Sequence, residues 1–171
     1  MRTIVTIAFL ISIMSLSIEK EIIAKNEIEM LPLDTLDEVI ITPKDYELII
    51  LEELWKNGVS VDLSYIILAQ AKHETWDFTS KIFIENNNVF GLKQAKKRKT
   101  TCIGTNRNHG VYESIEDCVL DYIYYMENRK IPLHETSVKK YVDLLKKKGY
   151  FEDDIGRYYN SVKKHRKQLN S

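Results

Sequence analysis

The chain has 171 residues, 44% of them hydrophobic, enough to bury one compact core after a short leader but too few for a sizeable second domain. Lys and Arg total 25 and Asp and Glu total 25, so the net charge of zero excludes a strong overall attraction to nucleic acid or to an anionic membrane. The charge is unevenly distributed, since residues 1–90 have 7 basic and 15 acidic side chains and residues 91–171 have 18 and 10. The basic second half indicates either a polyanionic partner or lysines on solvated helix faces.

The N-terminal segment has the pattern of an export signal. Arg2 precedes an uncharged apolar run from Ile4 to Ile18, and charged residues follow it. The run is about 15 residues long, shorter than the roughly 20 that cross a bilayer upright. We therefore expect residues 1–21 to be a signal peptide or N-terminal anchor, although a buried core strand is an alternative. The protein is then expected to be exported, to the extracellular space, the periplasm or the cell wall, and to touch a membrane only through this segment if it stays uncleaved.

An acidic segment, residues 22–41, includes Pro32 and is interpreted as a linker or arm before a folded domain over residues 42–171. Thr42–Asp45 supplies an N-cap, a proline and an acid for the first turn of a helix that ends near Gly58. Ser60 predicts the cap of a second helix, which is apolar around nearly its whole girth and therefore belongs in the core.

Helical periodicity fails between residues 79 and 110, where Asn and Gly residues supply turn chemistry around short extended runs. This segment predicts a small β-hairpin lobe. Further helices are expected to begin at Ser114, at Ser137, with Gly149 as its end, and at Asp154. The predicted fold class is α+β, a mainly helical domain with a small hairpin lobe and a ligand cleft between the two.

The cysteines and histidines suggest little chemistry of their own. Cys102 and Cys118 could form a disulfide in an oxidising compartment, and the sequence favours neither the bridged nor the free state. The four histidines are scattered and form no spacing typical of a zinc site. Neither a metal nor a cofactor is expected.

Glu74 is the strongest candidate for chemistry. It lies at the end of the most apolar helix, on the same face as Ile67 and Ala71, so that its carboxyl is held against the core. Burial raises the pKa of a carboxyl, and a protonated carboxyl near neutral pH is what cleavage of a glycosidic bond requires. On spacing alone, a solvated Glu or a pair with Lys72 is the simpler interpretation.

The surrounding segments resemble the glucosaminidase domain, glycoside hydrolase family 73. The resemblance rests on Ile67-Leu-Ala-Gln-Ala-Lys-His-Glu74-Thr-Trp76 and on Asn88-Val-Phe-Gly-Leu-Lys93, and it covers about residues 45–165. The family includes flagellar muramidase-type and mannosyl-glycoprotein endo-beta-N-acetylglucosaminidase-like domains, with a lysozyme-like helical fold, a small β-lobe and a catalytic Glu. The resemblance therefore implies that Glu74 is the catalytic acid and that Tyr158, in the closing segment, is a catalytic residue beside it.

The resemblance implies a peptidoglycan hydrolase, an endo-β-N-acetylglucosaminidase that cleaves β-1,4 bonds between N-acetylated amino sugars by general acid catalysis from Glu74. Its partner would be the glycan strands of peptidoglycan. Trp76, Phe90 and Tyr112 are candidates for substrate binding, since aromatic faces stack on sugar rings. Asn88 is a candidate for a hydrogen bond to an N-acetyl group.

One feature departs from the family pattern. Many members have a second carboxylate in the β-lobe, but residues 93–112 contain no Asp or Glu, and neither Glu85 nor Glu113 stands at the expected position. A single acid is sufficient if the N-acetyl group of the substrate acts as the nucleophile. The alternative is a non-catalytic cell-wall-binding protein that retains the fold.

A nucleic-acid-binding module would depend on two basic clusters, Lys96–Lys99 and Lys163–Lys167, which have no interleaved aromatic residues. No nucleic-acid partner is therefore expected. The sequence leaves the oligomeric state open.

Overall fold

The computed structural model of the protein describes residues 42–169, and the predicted leader (1–21) and linker (22–41) lie outside these residues. The described elements are α1 (Pro43–Lys56), α2 (Val61–Thr75), α3 (Lys81–Asn86), β1 (Gly104–Asn106), β2 (His109–Val111), α4 (Ile115–Arg129), α5 (Val138–Lys147) and α6 (Ile155–Gln168). The predicted α+β class, mainly helical with a small hairpin, is confirmed. Among these helices none has both the length and the apolarity to cross a bilayer.

The helices begin where the capping residues predict. Thr42 and Asp45 form a capping box at the start of α1, which satisfies backbone N–H groups that have no partner within the helix. The other four long helices each begin after a side chain that accepts a hydrogen bond from a backbone N–H three residues on: Ser60, Ser114, Ser137 and Asp154. Each such cap contributes on the order of 1 kcal/mol to the stability of its helix.

Helix α2 is the centre of the core, as its apolar composition predicts. It packs against α1 on one side and α6 on the other, while α1 also packs on α4 and α6 on α5. Ile67 and Leu68 are fully buried, and each such side chain contributes roughly 1.5–3 kcal/mol relative to exposure. The position of the C-terminal end of α2 is therefore fixed by packing on several sides.

The segment between residues 79 and 110 differs in part from its predicted structure. Residues 81–86 form the short helix α3, which is capped by Ser80 and packs against β2. Only turns and extended runs were expected there. Six residues are too few to show helical periodicity, which explains the error. The hairpin itself is confirmed, but it is confined to Gly104–Asn106 paired antiparallel with His109–Val111.

Both cysteines are free thiols in the structure. Cys102 donates to the backbone oxygen of Gly104 at 2.9 Å, and Cys118 is fully buried on α4. Burial raises the pKa of the Cys118 thiol, which keeps it protonated and unreactive.

Candidate active site

Glu74 lies in the last turn of α2 with its carboxyl at the edge of the core. Ile67 and Ala71, on the same face of the helix, are fully buried, and Glu74 itself is half-buried. The hydroxyl of Tyr158 donates a hydrogen bond to Oε1 of Glu74 at 2.6 Å. Burial raises the pKa of Glu74 to about 7, against the opposing effect of the Tyr158 hydrogen bond, which favours the ionised form. The carboxyl is therefore largely protonated at slightly acidic pH.

Tyr158 is held in place by two aromatic neighbours, one of which is itself fixed by a hydrogen bond. The ring of Phe151 stacks on it with centroids 3.9 Å apart, and the ring of His73 meets it edge-on at 4.8 Å. The Nδ1 atom of His73 is 2.8 Å from the hydroxyl oxygen of Ser161, also on α6. Burial lowers the pKa of His73, so this imidazole is neutral at neutral pH. These contacts fix the Tyr158 hydroxyl against Glu74.

Two buried tyrosine hydroxyls, from α4 and α5, meet the side chain of Gln70, which lies one turn before Glu74 on α2. The Gln70 side-chain oxygen accepts hydrogen bonds from Tyr122 at 2.9 Å and from Tyr141 at 2.6 Å. Phe90 stacks on Tyr122 with centroids 4.1 Å apart, and Tyr150 donates to the Phe90 backbone oxygen at 2.6 Å. These contacts therefore tie α4, α5 and the loop around Phe90 to the helix that holds the acid.

The loop of residues 88–92 is closed by the buried side chain of Asn88. Its amide nitrogen donates to the backbone oxygens of Leu92 and Gly110, both at 2.9 Å, and its oxygen accepts from the Leu92 N–H at 3.0 Å. Gly91, in this loop, has a φ of +62°, and a Cβ there would lie 3.8 Å from Oε2 of Glu74. Asn88 thus positions the Gly91 backbone beside Oε2 of Glu74, whereas Tyr158 is bonded to Oε1.

Trp76 follows the acid directly and projects into solvent. Its side chain is 77% exposed, and Trp76, Asp77 and Phe78 all have positive φ, at 52°, 55° and 65°. Non-glycine residues in this conformation are uncommon and strained, and such segments cluster at functional sites. The turn is held by hydrogen bonds from the Asp77 N–H to the Lys72 carbonyl and from the Phe78 N–H to the Thr75 hydroxyl. The backbone that presents the exposed indole is therefore fixed beside the acid.

The other two predicted substrate-binding aromatics, Phe90 and Tyr112, are both 2% exposed. The Tyr112 hydroxyl donates to Asp121 at 2.9 Å, and Arg98 binds the same carboxylate through two nitrogens at 2.6 and 2.8 Å. Burial would raise the pKa of Asp121, but the hydrogen bonds from Arg98 and its neighbours outweigh it and lower the pKa. In this conformation neither ring is open to a sugar, in contrast to Trp76.

Glu74 lines two cavities that share Gly91, so that a groove continues on both sides of the acid. The first, of about 380 Å³, extends past Lys93, Arg98 and Arg129. The second, of about 510 Å³, is lined also by Trp76, Ser80, Lys81, Ile82, Asn88 and His109. Over residues 42–169 no group of three His, Cys, Asp or Glu side chains is arranged to hold a metal ion.

A second acid lines the same cavity as Glu74, and sequence reasoning missed it. Glu152 lies in the connector between α5 and α6 and contributes to the wall of the first cavity, although its side chain is exposed. Glu85, in contrast, is paired with Arg107 at 2.7 Å, and Glu113 lines neither cavity. No local signal marks Glu152, because only the packing of α5 and α6 brings it to the cleft.

Comparison with known proteins extends these observations. A family model described as mannosyl-glycoprotein endo-beta-N-acetylglucosaminidase matches residues 52–171. The fold is similar to a solved structure described as a type VI secretion system effector-immunity complex from Pseudomonas protegens, with a TM-score of 0.59 and 12% identity, covering 75% of this chain and 92% of that chain. At this identity the likeness shows the fold alone. No curated protein sequence matches the chain.

Proposed function

Because the chain belongs to the glucosaminidase family, a family of glycoside hydrolases, we propose that it is an exported peptidoglycan hydrolase. In this proposal it is an endo-β-N-acetylglucosaminidase, and Glu74 is its general acid. The observation that supports this most strongly is a carboxyl with a pKa of about 7 in the middle of a groove that continues on both sides. Such a groove suits internal cleavage of a polymer. Export is proposed from the apolar leader.

Proton donation follows from the surroundings of the carboxyl. Oε1 of Glu74 accepts the hydrogen bond from the Tyr158 hydroxyl. Oε2, beside the Gly91 backbone, is therefore the oxygen that would give its proton to the glycosidic oxygen. Protonation of the leaving oxygen as the oxocarbenium-like state forms contributes typically 10²- to 10⁴-fold to the rate. Once the carboxyl is ionised, the Tyr158 hydrogen bond stabilises it. Tyr158 is thus a positioning residue that also tunes the acid.

We propose that the substrate supplies the nucleophile. The carbonyl oxygen of the N-acetyl group would attack C1 of its own sugar while Glu74 protonates the leaving oxygen, and the ionised Glu74 would then take a proton from the water that opens the oxazolinium ring. This route needs one protein acid and retains the anomeric configuration. Net inversion of the product would exclude it. Glu152 as the base for water is the competing route, and Glu152→Gln would then abolish turnover.

Among the four candidates for substrate binding, we propose that Trp76 makes direct contact by stacking on a sugar ring, since its indole is exposed beside the acid. Asn88 and Phe90 line the groove, but their side chains are engaged within the loop and against Tyr122. The buried Tyr112 hydroxyl is bonded to Asp121. In this proposal Asn88, Phe90 and Tyr112 support the wall of the groove and do not contact the sugar directly.

Product analysis tests the function. The full chain, the Glu74→Gln variant and a Glu52→Gln control are incubated with purified peptidoglycan, and new reducing ends are identified by mass spectrometry after borohydride reduction. Glu52 is exposed on α1 and lines neither cavity. We expect reduced N-acetylglucosamine ends with wild type and control and none with Glu74→Gln. Reduced N-acetylmuramic acid ends would reassign the bond. No new ends, with wall binding retained, would indicate the non-catalytic binder.

A further inference from the structure

The two arms of the groove differ in charge. Among the residues that line the arm containing Trp76, Lys81 is the one Lys or Arg. The other arm is lined by Lys93, Arg98 and Arg129. It is adjoined by a further cavity of about 270 Å³, which shares Arg98 and Arg129 with it and adds Lys96 and Lys97. We call these two adjoining cavities the cationic arm.

Most of the positive charge in the cationic arm is uncompensated. The ion pair with Asp121 neutralises Arg98. Lys93, Lys96 and Lys97 are exposed and make no ion pair within residues 42–169, and Glu152 is the one exposed acid among the residues that line the arm. Even with Glu74 and Glu152 both counted as ionised, Lys93, Lys96, Lys97 and Arg129 leave the arm with a net positive charge.

We propose that the cationic arm is a subsite for the carboxylates of the stem peptide in peptidoglycan, an inference that rests on the proposed function. In peptidoglycan every second sugar has a lactyl group that is amide-linked to a short peptide with free carboxylates, whereas the sugars themselves are uncharged. A strand that lies across Glu74 places such a peptide next to the cut bond. The arm thus selects peptide-bearing strands over peptide-free strands, and the Trp76 arm contacts sugar in both.

The chemistry of the arm matches carboxylates on a flexible peptide. Lys93, Lys96 and Arg129 are exposed and long, so they can follow a mobile anion without a fixed geometry. Contacts between exposed charges are each weak and are screened by salt. Removal of two of these charges should therefore weaken the binding of peptide-bearing strands roughly three- to tenfold at low salt.

The test compares two substrates and two variants. Glycan strands of matched length are prepared with their stem peptides intact or removed by an amidase, both free of teichoic acid. Lys93→Gln/Arg129→Gln is compared with Lys147→Gln/Lys167→Gln, which removes two positive charges from exposed positions outside the three cavities. On peptide-bearing strands at low salt, we expect KM to rise roughly three- to tenfold in the first variant only, and this difference should disappear at high salt. On peptide-free strands, neither variant should differ from wild type.

Three results would overturn the subsite. The first is equal KM values of wild type for the two substrates, and the second is a rise in KM on peptide-free strands as large as on peptide-bearing ones. The third is a rise in KM that is absent with both substrates and appears only with an additional preparation of strands that keep their teichoic acid, which would make a phosphodiester the ligand. Binding of both strands by the Glu74→Gln protein is measured in parallel by fluorescence anisotropy. If no strand is cleaved, the proposed function fails, but these binding constants still decide whether the arm recognises the peptide.

Discussion

The substitution Glu74→Gln should make the protein more stable above neutral pH. The pKa of Glu74 rises from its usual value of 4.5 to about 7 in the fold. At about 1.4 kcal/mol for each pH unit by which a pKa moves, the ionised carboxylate is disfavoured in the folded protein by roughly 3 kcal/mol. Below pH 4.5 the carboxyl is protonated in both states and the stability is fully present. As pH rises to about 7 the unfolded chain ionises first, so this stability is lost.

Urea unfolding of both proteins at several pH values between 4 and 8 measures this effect. Gln has no proton to lose, so the free energy of unfolding of Glu74→Gln minus that of wild type should grow by roughly 3 kcal/mol across the range. The difference between the two proteins removes the contributions of all other titrating groups. If the two profiles run parallel, the carboxyl is not buried as the structure has it, and the argument for a protonated acid near neutral pH is refuted.

Three further predictions concern the neighbours of the acid. Tyr158→Phe removes a hydrogen bond that stabilises the ionised form of Glu74 and lowers its pKa. The kcat should therefore fall about tenfold, and the alkaline limb of the pH profile should move to higher pH. An unmoved limb would show that the hydroxyl does not act on the acid. Trp76→Ala should raise KM for glycan strands about tenfold without changing the thermal midpoint, because the indole is 77% exposed; an unchanged KM would exclude stacking. Asn88→Ala removes the Asn88 partner of the buried Leu92 N–H and of the buried Gly110 oxygen, whereas the Leu92 oxygen keeps its bond from the Gly110 N–H. The free energy of unfolding in urea should fall by roughly 2–3 kcal/mol, and a loss below about 1 kcal/mol would contradict the closing role of Asn88.

Local chemistry predicted most of the helical framework. Cap residues such as Ser60 and Asp154 act within three positions of themselves, so their effect is visible in the sequence. Because α2 has apolar residues on nearly all of its faces, the sequence predicted that it lies in the core and that Glu74, in its last turn, lies at the edge of the core. The helix α3 was missed because six residues cannot establish a period.

The neighbours of the acid were less accessible to sequence reasoning. The resemblance to the family directed attention to Tyr158, which is 84 residues from its hydrogen-bond partner. No pattern distinguishes the exposed Trp76 from the buried Tyr112, because both are aromatic residues near turns and only tertiary packing decides which one faces water. Glu152 and the cationic arm depend in the same way on connectors that packing brings to the cleft.

The most direct test of the central proposal, that Glu74 is the acid of a glycan-cleaving enzyme, is the rate at which new reducing ends form from peptidoglycan as a function of pH. For wild type we expect a rate that is constant below about pH 6, is halved near pH 7 and falls about tenfold for each further pH unit above about pH 8. For Glu74→Gln we expect a loss of at least about 10²-fold throughout. A Glu74→Gln protein that retains the wild-type rate, or a wild-type rate that stays constant up to pH 9, would contradict the proposal.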